Sequence, residues 1–140
     1  AMLDIDHFKQ VNDREGHLYG DKVLQDLSRM LDECVRETDV VARYGGEEFI
    51  IVMPQTELFG ACVFAERLRD RIAHGMDLTI SVGVASAMEG DTEQSLLGRA
   101  DSALYAAKTA GRNCAWRHDG EKTESIVEEI VLADGCDGRM

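Results

Sequence analysis

Several features that mark other functional classes are absent from this sequence. Its four cysteines, at positions 34, 62, 114 and 136, form no C-x-x-C pair, which disfavours a zinc site and is typical of reduced thiols. No apolar run approaches the ~20 residues that cross a bilayer, and no signal peptide precedes the first strand pattern. We therefore expect a cytoplasmic domain without a membrane segment.

Basic residues are also few. The 140 residues carry 15 Lys and Arg against 27 Asp and Glu, for a formal net charge of −12. A general nucleic-acid surface needs basic stripes that attract phosphate, so nucleic acid is not an expected partner. Any anionic ligand must be held locally, by a metal ion or by a few placed cations. The 44% of hydrophobic residues is enough for one domain with a packed core.

Hydrophobic periodicity predicts a domain that alternates strands and helices. Strand patterns lie at residues 2–8, 39–44, 49–53 and 77–86, with a short last one at 114–116. Helix patterns lie at residues 21–35, 58–72 and 96–107. The resulting order is the βαββαβ arrangement of ferredoxin-like and polymerase-palm domains. The predicted fold class is therefore α+β, with helices packed on a sheet.

Two acidic stretches lie far apart in sequence but at one end of this predicted sheet. Asp4 stands in the first strand, and Glu47 follows the Gly45-Gly46 turn between strands two and three. In a split βαβ unit, strand three lies antiparallel between strands one and two, so it begins beside the end of strand one. Converging carboxylates need a cation, and hard oxygen ligands favour Mg²⁺ or Mn²⁺. Two such ions would polarise a phosphoryl group and activate an attacking hydroxyl.

Each polar signal has a common alternative explanation when it is taken alone. A Gly-Gly turn followed by solvated glutamates is frequent in proteins. Lys108 and Arg112, which suit phosphate, also suit an ordinary helix C-terminus. Asn12 is typical of a turn, Asp21 of a helix N-terminus, and His17 of a surface. Their combination in one order favours a phosphate-handling site.

Six stretches with several polar positions each follow one another along the chain: DIDHFKQVND at 4–13, GHLYGD at 16–21, RETD at 36–39, RYGGEEF at 43–49, TISVGVAS at 79–86 and ADSALYAAKTAGRN at 100–113. With these stretches in this order, the sequence resembles the GGDEF domain, the catalytic domain of bacterial diguanylate cyclases. The resemblance implies that two GTP molecules condense to cyclic di-GMP with release of two pyrophosphates. Each domain would bind one GTP, and two domains would face each other in a homodimer.

The resemblance also implies particular residue roles. Asp4, the carbonyl of Ile5 and Glu47 would bind two Mg²⁺ or Mn²⁺ ions. Glu47 would deprotonate the attacking hydroxyl, and Glu48 would support the metal site. The residues implied to contact GTP are Phe8, Lys9, Asn12, His17, Asp21, Lys108 and Arg112. Of these, Asn12 and Asp21 would pair with guanine edges, and the cations would meet phosphates.

The RETD stretch matches the family's R-x-x-D site for product inhibition. Arg36 would stack on a guanine of cyclic di-GMP and donate a pair of hydrogen bonds to it, and Asp39 would accept hydrogen bonds from another edge of the base. The same pattern also occurs by chance as a surface pair. A non-catalytic cyclic di-GMP receptor and a GTP-binding regulator are alternative functions. The unbroken RYGGEEF favours the enzyme, because a receptor needs no metal ligands.

The family pattern sets the expected domain organisation. In relatives, a further helix and part of the first strand precede the first motif, and a sensory domain usually comes before them. We therefore expect a catalytic domain at residues 1–118 that lacks this N-terminal helix. The mostly acidic residues 119–140 are expected to form a solvated tail or a short amphipathic helix. The whole protein is expected in the bacterial cytoplasm, where its sensory domain would tether it.

Overall fold

Six strands form one mixed sheet in the computed structural model, which describes residues 1–127. The strands are β1 (Met2–Ile5), β2 (Val40–Arg43), β3 (Glu48–Val52), β4 (Ile80–Ala85), β5 (Ala115–His118) and β6 (Thr123–Ser125). Their spatial order is β2-β3-β1-β4-β5-β6. As predicted, β3 lies antiparallel between β1 and β2. On the other side of β1, β4 pairs antiparallel with β1 and parallel with β5. The α+β class is confirmed.

The largest difference between the predicted and the observed helices lies after β1. They are α1 (Phe8–Glu15), α2 (His17–Cys34), α3 (Leu58–Gly75) and α4 (Glu93–Thr109). The sequence pattern predicts no helix before Asp21, so it misses α1 and the first turn of α2. The physical reason is that α1 buries only Phe8 and therefore shows no apolar period. Gly16, with φ of 89°, separates the two helices, and Gly20 lies inside α2.

The helices cover the two faces of the sheet unequally. One face carries the main core, in which Leu3, Leu27 and Ile72 are completely buried among side chains of β1, α2 and α3. On the other face, α4 packs on Met2 through Ala100 and Leu104. Beside α4, the β2–β3 part of this second face is open, and Val40 and Val52 there are 54% and 52% exposed.

Gly83 of β4 sets how closely α4 approaches the sheet. A Cβ added to Gly83 would lie 2.2 Å from the carbonyl oxygen of Ala100 and 2.3 Å from the backbone nitrogen of Leu104. Only glycine permits this contact between strand and helix backbones. The close approach places the C-terminal end of α4 over the end of β1.

The sheet continues past residue 118, where the predicted catalytic domain ends. β6 pairs antiparallel with β5, and Ile126 is completely buried in the main core. The described part of the acidic stretch thus packs on the domain through a strand. The expected short helix falls largely on residues 128–140, which lie outside the described residues. No helix within residues 1–127 is long and apolar enough to span a membrane.

Candidate active site

Asp4 is a buried acidic group at this end of the sheet, and Lys108 is its cationic partner. Its side chain is 8% exposed, and it accepts a hydrogen bond from Lys108 of α4, with 2.5 Å between Nζ and Oδ2. Asp4 lies directly across from Glu48 in the β1–β3 register. Burial raises the pKa of Asp4; Lys108 opposes the rise, and the charges of Glu47 and Glu48 add to it. The carboxylate is therefore short of positive charge.

The β2–β3 hairpin brings Glu47 beside the end of β1. The backbone nitrogen of Ile5 donates to the carbonyl oxygen of Glu47 at 3.3 Å. Arg43 fixes the glycine tip, because its Nη2 and Nε donate to the carbonyl oxygen of Gly46 at 2.6 and 3.0 Å. The convergence of Asp4 and Glu47 that the topology predicts is thus present. The role of Arg43 was not predicted, although it begins the RYGGEEF motif.

Asp6 joins three segments of the chain beneath the site. Its carboxylate accepts from the hydroxyls of Thr79 at 2.7 Å and Ser81 at 2.6 Å, and from the backbone nitrogen of Asn113 at 2.9 Å. These bonds fix the end of β1 against the start of β4 and against the loop after α4. That loop carries Arg112, which has a left-handed φ of 65°. Sequence reasoning missed this role; its only signal is the pairing of DID with the hydroxyls of TIS.

A cleft of about 470 Å³ opens between α1, α2 and the hairpin tip. Its lining includes five of the residues implied to contact GTP, together with Glu47: Phe8, Lys9, Asn12, His17 and Asp21. The other two, Lys108 and Arg112, do not line the cleft: Lys108 binds Asp4, and Arg112 is exposed.

Gly20 lets α1 sit close against α2 in this cleft. A Cβ at Gly20 would lie 1.8 Å from Asn12 Oδ1 and 3.3 Å from Phe8 Cζ. Asn12 Oδ1 is itself buried without a hydrogen-bond partner. An unpaired buried acceptor costs free energy unless a ligand or water satisfies it, so Asn12 is suited to receive a donor from a bound base.

The donor set at the end of β1 fits a hard divalent cation. Asp4, Glu47 and the carbonyl of Ile5 supply oxygen ligands only, which Mg²⁺ and Mn²⁺ prefer. Within residues 1–127, no group of three or more His, Cys, Asp or Glu side chains is close enough to form a ready-made ion site. Mg²⁺ commonly binds to one or two carboxylates and completes its shell with substrate phosphates and water. A site whose metal shell is completed by substrate phosphates agrees with the oxygen-only donor set and with the absence of a ready-made ion site within residues 1–127.

The R-x-x-D residues form a separate cluster at the other end of α2. Arg36 Nη2 donates to Asp39 Oδ1 at 3.2 Å and to Thr56 Oγ1 at 2.5 Å, and the Asp39 side chain is only 2% exposed. The Thr56 hydroxyl in turn donates to the carbonyl oxygen of Pro54 at 3.1 Å. The 18 residues of α2, at ~1.5 Å each, make this helix roughly 27 Å long; its first residue, His17, lines the cleft, whereas the cluster lies beyond its last residue. Thr56 was not predicted.

A palm-like sheet with converging carboxylates beside a polar cleft is the arrangement of domains of the polymerase-palm type. The family model "Diguanylate cyclase, GGDEF domain" matches residues 1–114. The chain therefore belongs to the GGDEF family, as its motifs predict.

Two curated bacterial proteins are similar to this chain in sequence. The chain is 47% identical over 123 residues to the response regulator PleD of Caulobacter vibrioides, covering 80% of this chain and 27% of PleD. It is 42% identical over 121 residues to the diguanylate cyclase DgcP of Pseudomonas aeruginosa, covering 81% of this chain and 18% of DgcP. The chain thus spans less than a third of the length of these relatives.

Solved structures agree in fold. The active GGEEF domain of a diguanylate cyclase from Vibrio cholerae matches with a TM-score of 0.78 and 36% identity, over 86% of this chain and 81% of that one. The GGDEF domain of DgcB from Caulobacter crescentus, in complex with c-di-GMP, matches with a TM-score of 0.77 and 35% identity, over 80% and 72%. Both are palm-like α+β domains like the present one.

Proposed function

We propose that this chain is the catalytic domain of a diguanylate cyclase, which condenses two GTP molecules into cyclic di-GMP and two pyrophosphates. The observation that supports it best is the juxtaposition of Asp4 and Glu47 beside a cleft lined by Asn12 and Asp21, in a member of this family. A receptor that binds cyclic di-GMP through Arg36 and Asp39 needs neither the cleft nor paired carboxylates beside it.

In this proposal the cleft selects guanine over adenine. The Asp21 carboxylate accepts from guanine N1–H and the exocyclic amine, a donor pair that adenine lacks. Asn12 Oδ1, which is buried without a partner, accepts a further donor. Adenine would leave these acceptors unpaired, and a site built for hydrogen bonds rejects such an analogue by on the order of 10⁴-fold.

The triphosphate lies between the start of α1 and the end of α4. The N-terminus of α1 offers backbone N–H groups at Phe8 and Lys9, and the Lys9 side chain lines the cleft. Lys108 approaches from the end of α4 and Arg112 from the loop after it, with His17 at the rim. Asp4, Glu47 and the Ile5 carbonyl would hold two Mg²⁺ or Mn²⁺ ions, which when bound neutralise phosphate charge and polarise the α-phosphate.

Glu47 takes the proton from the attacking 3′-hydroxyl, and Glu48 supports the neighbouring carboxylates. Because one domain holds one GTP, the attacking hydroxyl and the α-phosphate belong to different domains. The reaction therefore requires a homodimer, with the two clefts facing each other. In the whole protein we propose that an upstream sensory domain controls this encounter in the bacterial cytoplasm.

Product inhibition acts at the R-x-x-D cluster in the same proposal. Arg36 is held in place by Asp39 and Thr56, so its guanidinium is oriented before ligand arrives. A guanidinium of fixed orientation loses less entropy when it forks to a guanine edge. We propose that cyclic di-GMP binds there through Arg36 and Asp39 and lowers turnover.

The test is product analysis by mass spectrometry after incubation of the chain with GTP and Mg²⁺ or Mn²⁺, at a protein concentration that favours dimers. We expect cyclic di-GMP from the wild type, none from Glu47→Gln, and none from ATP. Glu121→Gln, an exposed change of the same chemistry, serves as the control. Calorimetric binding of cyclic di-GMP by a wild type that forms no product would favour a receptor instead.

A further inference from the structure

The ammonium group of Lys108 is paired with the Asp4 carboxylate at the end of β1. Its Nζ lies 2.5 Å from Asp4 Oδ2, and the Asp4 side chain is 8% exposed, whereas that of Lys108 is 34% exposed. The pairing joins α4 to β1 across 104 positions of the chain. The partly exposed lysine can leave for solvent, and the buried carboxylate cannot.

The backbone beneath Lys108 is fixed, so only its side chain can adjust. Ala103, Leu104 and Ala107 are buried on the sheet, and Gly83 brings the α4 backbone into contact with β4. A lysine head on a flexible four-carbon stem swings between partners without movement of its helix. The lysine can therefore exchange one anionic partner for another while the site keeps its shape.

We propose that Lys108 is the resident counter-ion of Asp4, and that a divalent cation must displace it to bind. The lysine released in this way is then free to meet the triphosphate. Metal loading and nucleotide loading are thereby coupled. Metal binding to Asp4 releases Lys108, and the triphosphate gives the released ammonium group a new anionic partner. This inference rests on the metal assignment in the proposed function, and it adds that Lys108 lowers metal affinity when no nucleotide is present.

Charge repulsion explains why Lys108 and a divalent ion cannot both bind Asp4 at the same time. The charges of Glu47 and Glu48 act on Asp4, so without Lys108 the Asp4 carboxylate would be subject to two like charges with no ammonium group beside it. A divalent ion next to the ammonium group would instead meet repulsion. Removal of the ammonium charge should therefore tighten metal binding to the site.

The first measurement is nucleotide-free Mn²⁺ binding, followed by electron paramagnetic resonance. Relative to wild type, we expect Lys108→Met to bind Mn²⁺ about tenfold more tightly, the effect of one charge discounted for its partial exposure. Lys122→Met is the matched control, since it removes a lysine from another carboxylate pair, at 2.8 Å from Glu124; we expect no change. Asp4→Asn should abolish the binding.

Equal or weaker Mn²⁺ affinity in Lys108→Met would overturn the inference, and so would the absence of binding in both proteins. Neither result bears on product formation from GTP, which tests the proposed function separately. Gain of binding by Lys108→Met alone would support the inference. Thermal melts by circular dichroism establish that the variant is folded.

A second measurement uses the wild type and needs no folded variant. The sequence has four lysines, Lys9, Lys22, Lys108 and Lys122, so ¹⁵N-lysine labelling gives one side-chain amine signal for each. On addition of Mg²⁺ without nucleotide, we expect the Lys108 signal to move along a saturable curve, while Lys122 shows only an ionic-strength response. A Lys108 signal that does not move at saturating Mg²⁺ would contradict the exchange.

Discussion

Replacement of Gly83 by alanine tests the backbone contact that places α4 over the site. The added Cβ would lie 2.2 Å from the Ala100 carbonyl oxygen and 2.3 Å from the Leu104 nitrogen, whereas real Cβ atoms essentially never approach other atoms within 3.0 Å. Both atoms belong to the backbone of one helix, so no side chain can rotate to relieve the contact. Helix α4 must move away from the sheet by about 1 Å.

The size of the effect follows from that displacement. Overpacking of a well-packed core costs about 1–3 kcal/mol, and we expect about 3 kcal/mol here because a whole helix shifts. That is a large fraction of the ~5–15 kcal/mol that stabilises a typical domain. The assay is urea unfolding followed by far-UV circular dichroism, with the midpoint and slope compared with wild type.

Gly98→Ala is the matched control for Gly83→Ala. It adds the same methyl group to the interior of α4 itself, where nothing lies within 4 Å of the added atom. We expect it to raise the free energy of unfolding by roughly 1 kcal/mol, the helix propensity difference between alanine and glycine. If Gly83→Ala fell within 1 kcal/mol of wild type, the inferred close packing of α4 on β4 would be refuted.

Three further changes test other parts of the molecule. Gly20→Ala should displace Asn12 and weaken GTP binding about tenfold in calorimetry, while helix propensity keeps the urea midpoint nearly unchanged; unaltered GTP affinity would contradict this. Thr56→Val should weaken cyclic di-GMP binding several-fold and Thr56→Ser should restore it, so equal affinities in both would exclude the hydroxyl. Hydrogen bonds to the Asp91 carboxylate, of which those from Arg99 have the largest effect, hold the pKa of Asp91 well below its ordinary 3.8. Stability from this pairing is therefore present above pH 3.8 and lost in stronger acid, so the Tm difference between wild type and Asp91→Asn should shrink there.

The sequence predicts those parts of the fold that bury a periodic apolar face. The helix pattern at 58–72 and the strand pattern at 49–53 correspond closely to α3 and β3, because each element buries regularly spaced side chains. α1 has no such face and was missed. β6 was also missed, since three half-buried residues, Thr123 to Ser125, give no alternation that stands out from an acidic stretch.

The site likewise has features that the sequence predicts and features that it does not. Asp4 and Glu47 are predictable because strand order alone brings them to one end of the sheet. The pairing of Lys108 with Asp4 and that of Arg36 with Thr56 are not, because side-chain pairing depends on local geometry: the close approach of α4 in one case and the loop after β3 in the other. The sequence suggests phosphate for Lys108, whereas the structure pairs it with Asp4.

The two aspartates of the DID motif show how a structural carboxylate differs from a functional one. Asp6 accepts from two hydroxyls and one backbone nitrogen, all on segments fixed by the sheet, so its hydrogen-bonding capacity is used within the fold. Asp4 is equally buried but depends on the ammonium group of a flexible side chain, with two glutamates nearby. A buried charge with an exchangeable partner is costly to keep for stability alone. The cost is explained if Asp4 must release that partner for a ligand, whereas Asp6 must hold the ends of β1, β4 and α4 in place while it does so.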